Sequence, residues 1–220
     1  MNGIRATGAL TGLSLLCVGL LLGGIAIGVA MGGVMPLPYG PVGAVAEYVR
    51  NQPTAVRVMA VATFASSVPL ALYAATAAVR LRQLGAGAAS AAIALTAGVV
   101  AAGALGLAGL LGWTLSWPEV SVDTGLVRAL YLLVFLTGGP GHVVALGVLV
   151  AAMAAPGGAL PGPLARIGLA IAVLAESAAG VLVWPALGVL LPIARVLALA
   201  WLVATGVAIT RAAQRDSPPR

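Results

Sequence analysis

Six apolar runs joined by short polar connectors dominate this chain of 220 residues, and each run is long enough to cross a bilayer. A hydrocarbon core about 30 Å thick is crossed by about 20 helical residues. The runs cover approximately 9–35, 55–79, 88–115, 126–155, 164–184 and 186–210. All six are predicted to be helices, because backbone exposed to lipid must satisfy its own hydrogen bonds and no run alternates as a barrel strand would. The expected fold is therefore all-α, a polytopic transmembrane helical bundle forming one integral membrane domain over 1–220. Composition agrees: 61% of residues are hydrophobic and 7% charged, where an ordinary globular domain carries about a quarter charged.

The charges set an orientation. Arg5, Arg80, Arg82, Arg166, Arg211, Arg215 and Arg220 fall on one side of the six spans. Arg50, Arg57 and Arg128 fall on the other, balanced there by Glu47, Glu119 and Asp123. Basic residues collect on the cytoplasmic side, so both termini are expected in the cytoplasm and the protein in a cell inner (plasma) membrane. Nucleic acid is not an expected partner, since the arginines are scattered between spans with no basic patch interleaved with aromatics. The bilayer is the expected surrounding, with a homo-oligomer or a membrane-protein partner open. Tyr39, Tyr48, Trp113, Trp117 and Trp184 lie near outer span ends, where an aromatic belt would sit.

The first span imitates a secretory signal, with a basic start and Gly28-Val29-Ala30 resembling a cleavage site. Its apolar run exceeds the roughly 7–15 residues of a signal core, so it is expected to remain as a span. Cys17, the lone cysteine, lies inside it and is expected to be a small core residue outside any disulfide framework.

Glycines mark where helices can approach closely. In span 1, Gly8 and Gly12, Gly19 and Gly23, and then Gly24, Gly28 and Gly32 form small-xxx-small pairs. Span 3 carries Gly103, Gly106, Gly109 and Gly112. These faces are expected to pack within the bundle, with contact to a second copy as the alternative. Span 4 contains Thr137-Gly138-Gly139-Pro140-Gly141-His142, a sequence that can bend or break a helix at membrane depth. Between spans 1 and 2, Pro36-Leu37-Pro38-Tyr39-Gly40-Pro41 excludes regular helix, and 42–50 could form a short interfacial one.

Polar groups inside the spans are the candidate site: Glu176, Arg195, His142, Ser66, Ser67 and Tyr73. Glu176 and Arg195 lie almost equidistant from the Trp184-Pro185 turn. A lone charge at mid-membrane costs ~2.5–3.5 kcal/mol on insertion scales, so the two are expected to pair across a hairpin, either as a clamp or as a site handling protons or substrate. Arg195 could instead snorkel outward. Glu176 is placed with Gly168, Ala172, Ala179 and Gly180 on an inward face. His142, the only histidine, is expected to hydrogen-bond across the bundle; one histidine provides neither bis-His haem ligation nor a zinc site, so no metal or cofactor is expected.

A phosphate-binding loop, a Cys/His cluster and a nucleophile elbow are all missing from the sequence. Three function classes remain. The first is a non-enzymatic structural or partner-binding bundle. The second is a small proton-coupled transporter with a mid-membrane polar site, disfavoured because no repeat relates the two halves. The third is a lipid-processing enzyme using a few interfacial polar groups.

Several features together resemble a bacterial six-span family, domain-of-unknown-function family 4386: Pro36-Leu37-Pro38 followed by Glu47-Tyr48, Arg80-Leu81-Arg82 ending span 2, Gly138-Gly139-Pro140 in span 4, and Leu164-Ala165-Arg166-Ile167-Gly168 opening span 5. The resemblance covers nearly the whole chain. It implies an inner-membrane bundle and carries no activity or catalytic residues.

Overall fold

The structure, a computed structural model, describes residues 2–41, 43–155 and 160–215, with side chains described from 8 to 211 within those limits. Met1, Arg220 and Val42 lie outside the described residues, as do the side chains of Arg5 and Arg215. Nine α-helices make up the described chain: α1 (Asn2–Gly32), α2 (Ala44–Asn51), α3 (Pro53–Gln83), α4 (Ala88–Leu115), α5 (Pro118–Ser121), α6 (Thr124–Leu136), α7 (His142–Ala154), α8 (Gly162–Ser177) and α9 (Leu190–Arg215). Among the described residues there is no strand. Six helical stretches are long and apolar enough to cross a membrane: Gly8–Gly32, Pro53–Gln83, Ala88–Leu115, Thr124–Ala154, Gly162–Leu182 and Pro185–Arg211.

Small residues decide which helices touch. A β-carbon on Gly109 would lie 2.5 Å from the Phe64 amide nitrogen, and one on Gly98 would lie 2.2 Å from the Ala74 side chain, so α4 rests on the backbone of α3. Gly24, Gly28 and Gly32 do the same for α1 against Ala62, Met59 and Ala55 of α3. Such close approach maximises dispersion and needs no hydrophobic drive from the solvent. Gly8, Gly12, Gly19 and Gly23 differ: a side chain there would meet nothing within 4 Å. The small face expected around Gly19 and Gly23 is thus turned away from the bundle, because the helix can offer only one side to α3. Gly103 also points outward, while Gly106 and Gly112 face Ser67 and Ala60.

The helices form a ring. Around it α1 packs on α3, α3 on α4, α4 on α6 and α7, α7 on α8 and α9, and α9 returns to α1. The return contact lies at the end where Arg80, Arg82, Arg166 and Arg211 cluster: a β-carbon on Gly206 would sit 3.0 Å from the Thr11 amide nitrogen. This half of the ring is filled by a continuous core including Leu10, Leu21, Leu70, Tyr73, Leu149 and Leu202. The buried phenol of Tyr73 donates to the Leu202 carbonyl at 3.2 Å and ties α3 to α9.

At the opposite end, the 33–41 segment is pinned by two phenols. Tyr48 donates to Gly33 O at 3.0 Å and Tyr131 to Pro36 O at 2.8 Å. Burial lifts the Tyr48 phenol above its ordinary value, so this donor keeps its proton. The connection into α6 is capped by Asp123, whose carboxylate accepts from the amides of Gly125 and Leu126 at 2.8 and 3.0 Å.

Span 4 is the irregular one. Thr137–Gly141 forms a π-helical turn in which Gly139 leaves helical geometry, at φ −84° and ψ −106°. Pro140 has no N–H to donate and its ring obstructs a regular turn. The expected break over Gly138, Gly139, Pro140 and Gly141 therefore takes the form of a kink joining α6 to α7.

Candidate functional site

The kink frees a carbonyl. The His142 amide turns to the carbonyls of Thr137 and Gly139, so the carbonyl of Gly138 is not held by the amide four residues on. Arg195, on α9, supplies the missing donor: its Nη2 bonds to Gly138 O. Its Nε is buried and, among the described residues, has no hydrogen-bond partner. Arg195 lies at roughly the mid-depth of its span, where an uncompensated cation is costly.

The guanidinium closes one end of a cavity of about 670 Å³, within the ~300–1,000 Å³ typical of small-molecule sites. Its walls are apolar: Leu21 and Ile25 from α1, Met59 from α3, Leu105 and Ala108 from α4, and Phe135 from α6. Thr63 is part of the same lining, its hydroxyl donating to Met59 O at 2.7 Å within its own helix. Towards the 33–41 segment the lining includes Leu37 and Val189, which are 70% and 61% exposed and so mark a mouth. Tyr39 stands over the cavity with its ring edge-on to Phe135, centroids 5.3 Å apart.

Of the candidate polar residues, Arg195 lines this cavity and His142, Ser66, Ser67, Tyr73 and Glu176 do not. His142 is fully buried; its Nδ1 lies 2.9 Å from Ala101 O, which requires a proton on Nδ1 and leaves Nε2 a bare acceptor without a partner. It sits close enough to Arg195 to interact electrostatically. Ser66 and Ser67 are buried and satisfied inside α3, donating to Thr63 O and Phe64 O at 2.7 and 2.6 Å. Tyr73 belongs to the packed half, bonded to α9.

Glu176 lies elsewhere. It is exposed on α8, and among the described residues it forms no ion pair with Arg195. The inward stripe of α8 is Gly168, Ile171, Ala172 and Ala175, continuing to Ala178. Glu176 stands at the edge of that stripe, about 40° beyond Ala172 and about 100° from Ala175, with its carboxylate beside Gly147. The turn explains the failed pairing. Ala178–Leu182 and Pro185–Val189 are 3-10 helices, which turn 120° and rise about 2.0 Å per residue. Equal residue counts from Trp184-Pro185 therefore lead to different faces.

What sequence reasoning missed is the partnership of Arg195 with Gly138. The signal was present: a Gly-Gly-Pro break at membrane depth needs a donor, and Arg195 is the strongest one inside the spans. Among the described residues no group of three His, Cys, Asp or Glu gathers as a metal site.

No family model matches the chain, and no curated protein or solved structure is similar enough to serve as a relative. Fold and site together define a class: an α-helical protein with the character of a multi-pass membrane protein, enclosing an apolar cavity with an arginine at its closed end.

Proposed function

We propose that this chain is a non-enzymatic, six-span inner-membrane protein, both termini cytoplasmic, that holds a small amphiphilic molecule in the cavity above Arg195. The observation carrying the reading is the cavity itself, apolar along its walls and charged at one end. A bundle serving only as scaffold would gain dispersion energy by filling such a space. The resemblance to the six-span family is compatible with this reading and adds no activity to it.

The orientation rests on Arg80, Arg82, Arg166 and Arg211 at one end, facing the 33–41 segment at the other. The cavity then occupies the outer half. A proton-coupled carrier built on Ser66, Ser67, His142, Glu176 and Arg195 is not favoured, because these side chains do not share one space.

The reading is tested by native mass spectrometry of the protein released from nanodiscs, alongside Val134→Trp, which places an indole into the lining. Retention of a small molecule by the wild type, and its loss in a folded Val134→Trp variant, is the expected result. An empty wild-type protein whose spectrum the substitution leaves unchanged would overturn the proposal.

A further inference from the structure

Resting on the reading of the cavity as a ligand site, we infer that the ligand is a single-chain acid, one apolar tail ending in one anionic group, which enters sideways from the outer leaflet and places its anion on Arg195.

Charge complementarity selects the head. Among the described residues Arg195 is the only charged one lining the cavity, and none of the lining residues is a carboxylate. Its buried Nε has no partner, and its Nη2 is held only by a backbone carbonyl. A guanidinium offers a planar fork that fits a carboxylate with two parallel hydrogen bonds. An arriving acid can share the guanidinium with the Gly138 carbonyl, adding a charged acceptor to a neutral one; the sealed Nε joins that pair once the side chain turns towards the cavity. The remaining lining is chiefly apolar, with Leu21, Ile25, Leu105 and Met59, and its Thr63 hydroxyl already donates to Met59 O, so it suits an alkyl or isoprenoid tail.

Depth selects a single chain. A phospholipid resident in the outer leaflet keeps its headgroup at the surface and would bring only its chain ends to Arg195. A molecule whose anion reaches mid-membrane must leave the leaflet as a whole, which a one-chain acid can do with little polar surface to desolvate.

The route follows from how the ring closes. Helices α1 and α9 touch at Gly206 against Leu10 and Thr11. Leu21 and Arg195 each lie about 16 Å along their helices from that contact, at 1.5 Å per residue. At that level both line the cavity. Residues of both helices thus line the cavity at the same level, and the exposed Pro192 is among them.

The test uses the full chain in nanodiscs, with lipid-only nanodiscs subtracted, and compares radiolabelled palmitate, hexadecyl sulfate, hexadecanol and a two-chain phosphatidate. The expected result is palmitate binding at least about tenfold tighter than hexadecanol, the least that a charge-assisted hydrogen bond contributes. Lowering the pH should weaken palmitate as its carboxylate protonates, while hexadecyl sulfate keeps its affinity. Both readouts need only the wild-type protein, so they stand even if Arg195→Gln fails to fold. If that variant folds, it should lose the preference for palmitate and keep hexadecanol binding. Equal affinity for palmitate and hexadecanol would overturn the single-chain acid while leaving the cavity reading intact. Tighter phosphatidate than palmitate would replace it with a leaflet lipid. Binding of none of the four, with Val134→Trp identical to wild type, would sink both.

Discussion

The guanidinium of Arg195 is bonded to the carbonyl of Gly138, across a sequence separation of 57 residues. A charge at membrane depth is compensated here by a broken backbone instead of by an acid. The kink in span 4 and the cation in span 6 therefore form one unit, each supplying what the other lacks.

Glu176 and Arg195 should behave as independent residues. Glu176→Gln is expected to leave detergent thermostability unchanged or slightly raised, since the residue is exposed and among the described residues makes no ion pair. The effects of Glu176→Gln and Arg195→Leu should add within ~0.5 kcal/mol. A coupling of about 1 kcal/mol or more in the double-mutant cycle would restore the clamp.

Removing the Tyr73 hydroxyl should loosen the packed half without touching the cavity. Tyr73→Phe removes the bond that ties α3 to the Leu202 carbonyl of α9, and the expected loss is ~1 kcal/mol. Differential scanning fluorimetry checks the loss, and unchanged ligand retention checks that the effect is remote.

Glycines that look alike in sequence should differ sharply. Gly109→Ala drives a methyl into the backbone of α3 and is expected to cost ~1–3 kcal/mol, as overpacking does. Gly19→Ala meets nothing within the chain and should be neutral or stabilising by up to ~1 kcal/mol through helix propensity. Loss of stability from Gly19→Ala would reveal a contact with another chain.

Cysteine labelling in a Cys17→Ala background tests orientation. Val34→Cys, at a position 80% exposed, should react with an impermeant maleimide on intact cells. Gln83→Cys, at the other end of α3, should react only after lysis. The reverse pattern would invert the topology.

The spans were legible because hydropathy over about 20 residues reports solvent directly. The break at Gly138-Gly139-Pro140 was legible for a similarly local reason, since Pro140 cannot donate and glycine tolerates what Gly139 adopts. Pairing across the bundle was not legible, because it depends on helical phase. Two 3-10 segments flanking Trp184 rotate α9 relative to α8, and residue counting assumes a uniform 100° step. The same limit applies to the glycines: spacing shows that a close approach is available at Gly19 and at Gly24, and only the direction of α3 decides which is used.

The contact of Gly206 with Leu10 and Thr11 joins segments that leave the ribosome far apart in time. Through most of synthesis α1 has α3 as its neighbour and a vacant flank towards lipid. Helix α9 follows the others in the chain, so its contact with α1 is the late one to form, and Arg195 reaches Gly138 only when α9 is in place. A chain stalled before α9 would present Gly138 with its carbonyl unanswered in the bilayer, a defect that membrane quality control could detect.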